Sequence, residues 1–330
     1  MGRSAEPEPP GHVKVVEVVA GLITDARGRV LLARRTEGRD LAGLWEFPGG
    51  KREPGETPEG TLVRELQEEL GIEARIDGHL ITVPHDAPGR SLRLDVRRVS
   101  RWKGVPRGRE GQALAWVPPH KLPSYAMPPA DRPVVAALLH PDRYAISPVP
   151  AGGADEGADA WLAGLDAALG RGVRRIQVRL PGIAPGLRRA LAIAAAARCR
   201  EAGAQLLVNS DVELAREVGA GLHLRAAELA ALGARPRLAA GALLAASCHD
   251  AEGLARAARL GCDFAVLGAV KPTATHPGHP GIGWDAFARL RGEVSLPVYA
   301  LGGLGPEDLP EARRHGAQGI AGIRALWPPA

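Results

Sequence analysis

Apolar positions in the first 140 residues fall in short blocks, and one block departs from the rest in its period. VKVVEVVAGLITD at 13–25 predicts a long strand, ARGR a turn, and VLLARR at 30–35 a second strand. Between 58 and 70 the period lengthens to that of a helix, with Leu62, Val63, Leu66 and Leu70 on its core-facing side. Thr57 suits an N-cap, Pro58 the first helical position, and Gly71 is placed to stop the helix. RLDVRRVSRW at 93–102 predicts another strand. A proline-rich stretch, AWVPPHKLPSYAMPPADRPVVAALL, then leads into a closing helix near 131–139.

The pattern changes at HPDR, 140–143. From Tyr144 onward, eight apolar blocks (YAISPV, RIQVRL, QLLVN, GLHL, LLAASC, FAVLGAV, VYALGG and GIAGI) alternate with Ala/Leu/Arg-rich helical stretches. A doubly wound sheet shares that alternation. The count of eight, with a glycine pair after the seventh block, favours a (β/α)8 barrel. The expected fold class is α/β, with a mixed-sheet α/β/α sandwich first and a TIM barrel second. The expected boundaries are a disordered leader at 1–12, a first domain at 13–140, a linker at 141–143 and the barrel at 144–330. A linker this short implies that the halves pack together.

Composition agrees with two domains: 330 residues, at roughly 150 per domain, make two. Hydrophobic residues are 45% and aromatics only 4%, so the cores must rest on Ala, Leu and Val. The net charge of +5 comes almost wholly from dispersed arginines, without the clustered basic face of a nucleic-acid binder. Cys199, Cys248 and Cys262 form no CxxC, which fits a reducing compartment. No signal-peptide h-region, myristoylation motif or apolar run of roughly 18 residues is present, so a soluble cytoplasmic location without membrane contact is expected.

One stretch carries chemistry: GGKREPGETPEGTLVRELQEELGI, 49–72. At about 100° per residue Glu65, Glu68 and Glu69 share a helix face, where like charges at these spacings repel by a few tenths of a kcal/mol each. A solvated face tolerates that. The fixed spacing from Gly50 through Glu56, Arg64-Glu65-Leu66 and Glu68-Glu69 to Gly71-Ile72 does not need it, and meets every position of the Nudix box. Hard oxygen donors on a rigid helix suit Mg2+ or Mn2+, whose charge turns the repulsion into a binding site.

Residues 13–139 resemble the MutT-type 8-oxo-dGTP diphosphatases, through the box, EFPGGK before it, and GREGQ and PPADRPV after it. The resemblance implies that the Gly49 carbonyl and the carboxylates of Glu65, Glu68 and Glu69 hold metal. It makes Glu110 a further ligand or the base, and Arg64 the partner that fixes the acidic rotamers. Arg35, Asp40, Glu46, Phe47, Pro48, Arg90 and Asp131 fall at nucleotide-facing positions. The implied reaction is attack of a water, deprotonated by Glu65 or Glu110, on the β phosphorus, with Glu69 also essential. It would release 8-oxo-dGMP and pyrophosphate and so cleanse the nucleotide pool ahead of DNA replication and repair. Asp131 stands where the family reads the purine with Asn. An ionised carboxylate only accepts hydrogen bonds, whereas an amide both donates and accepts.

Residues 144–326 resemble thiamine-phosphate synthases and their thiazole tautomerase relatives, through IQVRL, LLVNSDVELA, GLHL, PTATH and ALGGLGPED. That likeness puts Gln177, Arg179, Asn209, Ser247, Thr273, Thr275 and Gly303 at aminopyrimidine- or phosphate-binding positions, and His249 where the tautomerases carry a catalytic His. Pro181, Ser210 and His276 replace an expected Lys, Asp and Lys, and Glu228 replaces a metal-binding Asp. His276 and His279 are better read as a Pro/Gly loop than as a metal pair, and Cys248 as a buried thiol. Two other readings stay open: a first half acting on thiamine-type pyrophosphates beside an active barrel, and a barrel that binds ligand without catalysis.

Overall fold

The apolar run after position 15 forms a strand in the computed structural model, which describes residues 15–38, 40–87, 90–151, 154–273 and 280–328, with only the backbone of 86, 87, 90 and 154–156. The expected leader lies outside these residues. Strands β1 (Val15–Ile23), β2 (Val30–Arg34), β3 (Trp45–Glu46) and β4 (Gly49–Lys51) precede helix α1 (Pro58–Leu70). Strands β5 (Glu73–Arg75), β6 (Gly78–Ala87), β7 (Arg90–Val99), β8 (Arg101–Lys103) and β9 (Leu114–Val117) follow, and helix α2 (Arg132–Leu139) closes the unit. The main sheet runs β4-β1-β7-β6, with β1 and β7 parallel and the other pairs antiparallel.

The two helices cover opposite faces of that sheet. Val19 and Ile23 pack against Leu62, Leu66 and Leu70 of α1, while Ala20, Leu22 and Val96 pack with Val134 and Val135 of α2. Val63, expected in the core, is 40% exposed. The buried stripe follows the four-residue spacing 62–66–70, and Val63 is rotated about 100° off it. Gly71, at φ 70°, ends α1 with its N–H bonded to the Gln67 carbonyl at 3.1 Å.

In the second half, β10 (Arg143–Ile146), β11 (Arg175–Val178), β12 (Gln205–Asn209), β13 (Gly221–Leu224), β14 (Leu244–Cys248), β15 (Phe264–Gly268), β16 (Val298–Leu301) and β17 (Gly319–Gly322) close into a parallel barrel. Each of the eight apolar blocks contributes one strand. Seven helices lie among the described residues: α3 (Ala154–Gly170), α4 (Pro185–Glu201), α5 (Val212–Glu217), α6 (Ala226–Ala231), α7 (Ala251–Arg259), α8 (Gly283–Arg291) and α9 (Leu309–Arg314). The stretch after β17 is a turn rather than an eighth helix. It sets Trp327 against Trp161 of α3, with centroids 4.9 Å apart, and so covers the outer core there.

The barrel floor is polar, and the connection from α2 enters it. Arg175 is fully buried over the Phe264 ring at 4.3 Å, donates to Tyr299 Oη at 2.8 Å and lies 3.3 Å from His140 Nδ1. Tyr299 hydrogen-bonds the Pro141 carbonyl, and Gln318 donates to that of His140 at 2.9 Å. Elsewhere the halves meet through Ser295, which donates to the Pro84 carbonyl at 3.0 Å, and through Arg93 beside Glu293. No helix among the described residues is long and apolar enough to cross a membrane.

Candidate active site

The acidic helix and the glycine strand beside it are built for close approach. Gly49 has φ 152°, and a Cβ there would lie 2.1 Å from the Val19 carbonyl oxygen. A Cβ on Gly50 would lie 2.2 Å from the Glu65 carboxylate. Glycine at both positions therefore lets α1 rest its carboxylates on the β4 backbone. Glu69, 7% exposed, accepts from Gly49 N–H at 3.3 Å.

Arg64 organises the rest. Its Nε and Nη2 donate to the two oxygens of Glu56 at 2.8 and 3.0 Å, and its Nη1 donates to Glu65 at 2.9 Å and Glu68 at 3.3 Å. Arg64 holds the Glu56 carboxyl down to about 2, with help from the Glu53 N–H and the Thr61 hydroxyl. Glu65 goes the other way. Burial raises its pKa above the usual carboxylate range, Arg64 opposes, and the charges of Glu68 and Glu110 add to the rise. Glu56 as the anchor of Arg64 was not inferred from the sequence. Its place in the fixed spacing, eight residues before Arg64, is the signal that could have found it.

Glu110 arrives on a loop tied to the end of α1. Arg109 N–H and Gln112 Nε2 both donate to the Glu69 carbonyl, at 3.0 and 3.2 Å, and Glu110 N–H donates to Gln112 Oε1 at 2.8 Å. Gln112 and Arg109 are thus positioning residues that sequence reasoning missed. Glu69 and Glu110 line one narrow crevice with Arg35 and Glu46. Among the described residues no three His, Cys, Asp or Glu side chains stand as a closed metal-ligand set, and Arg64 pairs with Glu65 and Glu68. The donors still fit a hard divalent cation. They are carboxylates gathered over the Gly49–Gly50 backbone, close enough for Glu68 and Glu110 to act on Glu65 through space.

The expected nucleotide-facing residues converge beside this cluster. Arg35 pairs with Glu46 through its Nη1, and its Nε donates to the Asp40 carbonyl at 2.6 Å, so Asp40 contributes here through its backbone. Phe47 is 3% exposed in the core, which leaves its N–H to face the site. That N–H donates to Asp131 Oδ1 at 3.4 Å. The Pro48 carbonyl accepts from Gly21 N–H at 2.8 Å and forms floor. Asp131, 6% exposed, has its pKa raised to about 7, chiefly by burial; Glu46 adds to the rise, and the Phe47 N–H and Arg35 oppose it. The Arg90 side chain lies outside the described residues.

At the C-terminal mouth of the barrel, a chain of hydrogen bonds leads to Ser247. Gln177 hydrogen-bonds the Tyr144 hydroxyl, which lies 3.1 Å from His223 Nδ1, and His223 Nε2 lies 2.8 Å from Ser247 Oγ. Burial pushes His223 down to about 3, so the ring is neutral and carries one hydrogen. Tyr144 was not predicted as part of the site. Arg179 N–H donates to Ser147 Oγ at 2.9 Å, and Asn209 donates to Ser210 Oγ at 2.8 Å. His249 is exposed, with Nδ1 2.9 Å from the Gly268 carbonyl. Gly303 abuts the loop carrying Thr273: a Cβ there would lie 2.7 Å from the Pro272 carbonyl. Thr275, His276 and His279 lie outside the described residues. Cys248 is buried with its thiol pushed up to about 12, which removes it as a nucleophile.

Comparison with known proteins divides the chain in the same way. Residues 19–137 match the family model described as NUDIX domain, and 149–326 the one described as Thiamine monophosphate synthase. The CTP pyrophosphohydrolase of Escherichia coli is 42% identical over 127 residues, 38% of this chain and 93% of that protein. The 8-oxo-dGTP diphosphatase of Haemophilus influenzae is 40% identical over 127 residues, 38% of this chain and 93% of its own length. A Geobacter sulfurreducens protein provisionally named a thiamine-phosphate synthase is 38% identical over 168 residues, 50% of this chain and 78% of that protein.

Proposed function

Since the chain belongs to the NUDIX domain family through its first half and to the thiamine monophosphate synthase family through its second, we propose that it is a Mg2+-dependent nucleoside triphosphate diphosphatase. We propose further that its substrate is 8-oxo-dGTP, which it cleaves to 8-oxo-dGMP and pyrophosphate. The observation that carries the reading is the acidic cluster: Glu65 and Glu69 rest on the Gly49–Gly50 backbone, Arg64 bonds Glu65 and Glu68, and the charges of Glu68 and Glu110 act on Glu65.

A divalent cation held by Glu65, Glu68, Glu69 and the Gly49 carbonyl would offset the charge that develops on the phosphates. The chain does the rest. Arg64 keeps the carboxylates in register, and Glu65 or Glu110 takes the proton of the attacking water. Arg35, Glu46 and Asp131 position the nucleoside. An ionised Asp131 accepts from two adjacent N–H groups, the pattern on the N1/N2 edge of guanine and 8-oxoguanine. Protonated, it donates one hydrogen bond and accepts another, which matches N3 and the 4-amino group of cytosine. The similarity to a CTP pyrophosphohydrolase makes cytosine nucleotides the second reading.

The test is a kcat/KM panel at pH 8 with 8-oxo-dGTP, dGTP, CTP and thiamine diphosphate. Preferred turnover of 8-oxo-dGTP supports the proposal; equal or faster turnover of the others rejects it. For the barrel, the replacement of expected cations and a metal carboxylate by Pro181, His276 and Ser210 supports a ligand-binding rather than a synthase role. Thiamine phosphate formation from its two phosphorylated precursors would refute that.

A further inference from the structure

Helix α1, which carries Glu65, Glu68 and Glu69, is tied at its first turn to the main sheet. Arg97 on β7 bonds Glu59 through Nη1 and donates through Nη2 to Asp95 Oδ2 at 3.0 Å. Arg93, Asp95 and Arg97 alternate along β7 with Leu94 and Val96, which enter the core beside α2. The three charged groups therefore share the opposite face, on the side of α1.

The barrel reaches the same face. Gly316, just after α9, abuts His79 of β6: a Cβ there would lie 2.6 Å from His79 Nδ1 and 3.2 Å from Arg291 Cδ, so the ring and the arginine lie side by side. His79 Nε2 lies 2.9 Å from Thr82 Oγ1 and 3.6 Å from Asp95 Oδ1. Burial, and the charges of Arg291, Arg97, Arg93 and Arg98, keep that ring neutral, so it gives Asp95 no countercharge. Arg291, 2% exposed at the end of α8, gives one from the barrel. Burial raises the Asp95 pKa and Glu59 adds to the rise; Arg97 opposes most, and Arg291 opposes as well. Among the described residues Asp95 Oδ1 accepts no hydrogen bond and Arg291 Nε and Nη1 donate none, so the two groups act on each other through space. Burying the Arg291 cation costs stability, and what it stabilises in return is the Asp95 carboxylate.

We propose that Arg291 of the barrel is a positioning residue for the hydrolase half: its charge steadies the Asp95 carboxylate, Asp95 aims Arg97, and Arg97 holds the first turn of α1. The barrel thereby helps to seat the helix that carries the acidic cluster. The chain of contacts ends at α1, and only its last consequence, for the cation, rests on the proposed function.

Hydrogen exchange of the full chain, read by mass spectrometry on peptides covering 57–71, tests the contact, and Mn2+ titration calorimetry without nucleotide tests its reach. At pH 7, Arg291→Met is expected to speed exchange in 57–71 and to weaken Mn2+ binding, each by about threefold to tenfold, less than the direct loss of Arg64 because two residues intervene. Arg291→Lys, which keeps the charge, should recover most of both. Asp95→Asn should act as Arg291→Met does, and the double variant no more than either, since both break one chain of contacts. Arg93→Met removes a different contact between the halves, to the Gly292 carbonyl and Glu293, and should leave 57–71 unchanged. Where Arg291→Met disturbs the barrel, seen as faster exchange in α3 and α4, Asp95→Asn carries the same test from the other half. The proposal is overturned if these variants leave exchange in 57–71 unaltered, if Arg93→Met matches them, or if the two effects add. A loosened α1 in a chain that binds no Mn2+ supports the positioning role and strikes the metal assignment of the proposed function instead.

Discussion

The Asp131 carboxyl makes a quantitative prediction about pH. Its pKa rises from 3.8 to about 7 on folding, because the group is 6% exposed and the hydrogen bond it accepts from Phe47 N–H is long at 3.4 Å. A rise of about three units corresponds to about 4 kcal/mol, at 1.36 kcal/mol per unit. Burial this deep leaves little solvent to screen it. The raised pKa means that the folded state disfavours the charged form. Below pH 3.8 the group is protonated in both states and costs nothing. Between 3.8 and 7 the unfolded chain ionises and the folded one does not, so stability falls as pH rises, and above 7 the full cost remains. Asp131→Asn removes the titration. Urea unfolding monitored by tryptophan fluorescence should show the variant gaining on the unaltered chain from pH 5 to 8, by about 3 kcal/mol, with a plateau above pH 7. In the same window, kcat/KM for 8-oxo-dGTP should rise relative to that for CTP, as Asp131 changes from donor-and-acceptor to pure acceptor, and the Asn variant should lose that dependence. A stability difference flat in pH, or a base preference that titrates equally in Asp131→Asn, would refute the reasoning.

Three further substitutions probe the acidic cluster and its support. Glu69→Gln should abolish phosphohydrolysis while the circular dichroism spectrum and melting temperature stay near those of the unaltered chain; retained activity or an unfolded product counts against its role. Arg64→Met frees Glu56, Glu65 and Glu68 from their shared partner, so the Mg2+ concentration for half-maximal activity should rise by roughly 10–100-fold, the usual effect of losing a residue that orients ligands. Leu66→Ala, at a site with no exposed surface beneath the sheet, should cost about 2–5 kcal/mol in denaturant unfolding of the first half, and a smaller loss would mean that the α1–β1 contact relaxes to fill the space.

The elements with a strong period or a cap were legible in the sequence. Helix α1 spans the residues expected from Thr57, Pro58 and Gly71, and every apolar block after Tyr144 became a barrel strand. The short strands β3 and β5 were not legible, because two or three residues hold no period and form only by pairing with partners distant in sequence. In the site, residue types fixed by spacing were found, and residues that only position others were not. Phe47 falls at a nucleotide-facing position by the resemblance, yet its ring lies in the core and only its N–H faces Asp131. Gln112 escaped because it matters through a partner, the Glu69 carbonyl, that only the fold brings near.

Charged groups meet where the halves join. Arg291 is 2% exposed there, and burial pulls its pKa down to about 10 with Arg93 adding to the fall and Asp95 opposing. The Arg93 contacts to Glu293 and the Gly292 carbonyl are both long, at 3.4 Å. Burying a cation beside another cation opposes docking, and exposed pairs such as Arg93–Glu293 contribute at most about 1 kcal/mol. The favourable term sits at the connection instead. His140 and Pro141 place their carbonyls on Gln318 and Tyr299, and the His140 ring, kept neutral by burial and by the nearby Arg175 charge, lies against Phe264 in the barrel floor. The last residues after α2 therefore complete the hydrogen bonding of a buried arginine in the other half. The two halves are held together by a connection that is itself part of the barrel core.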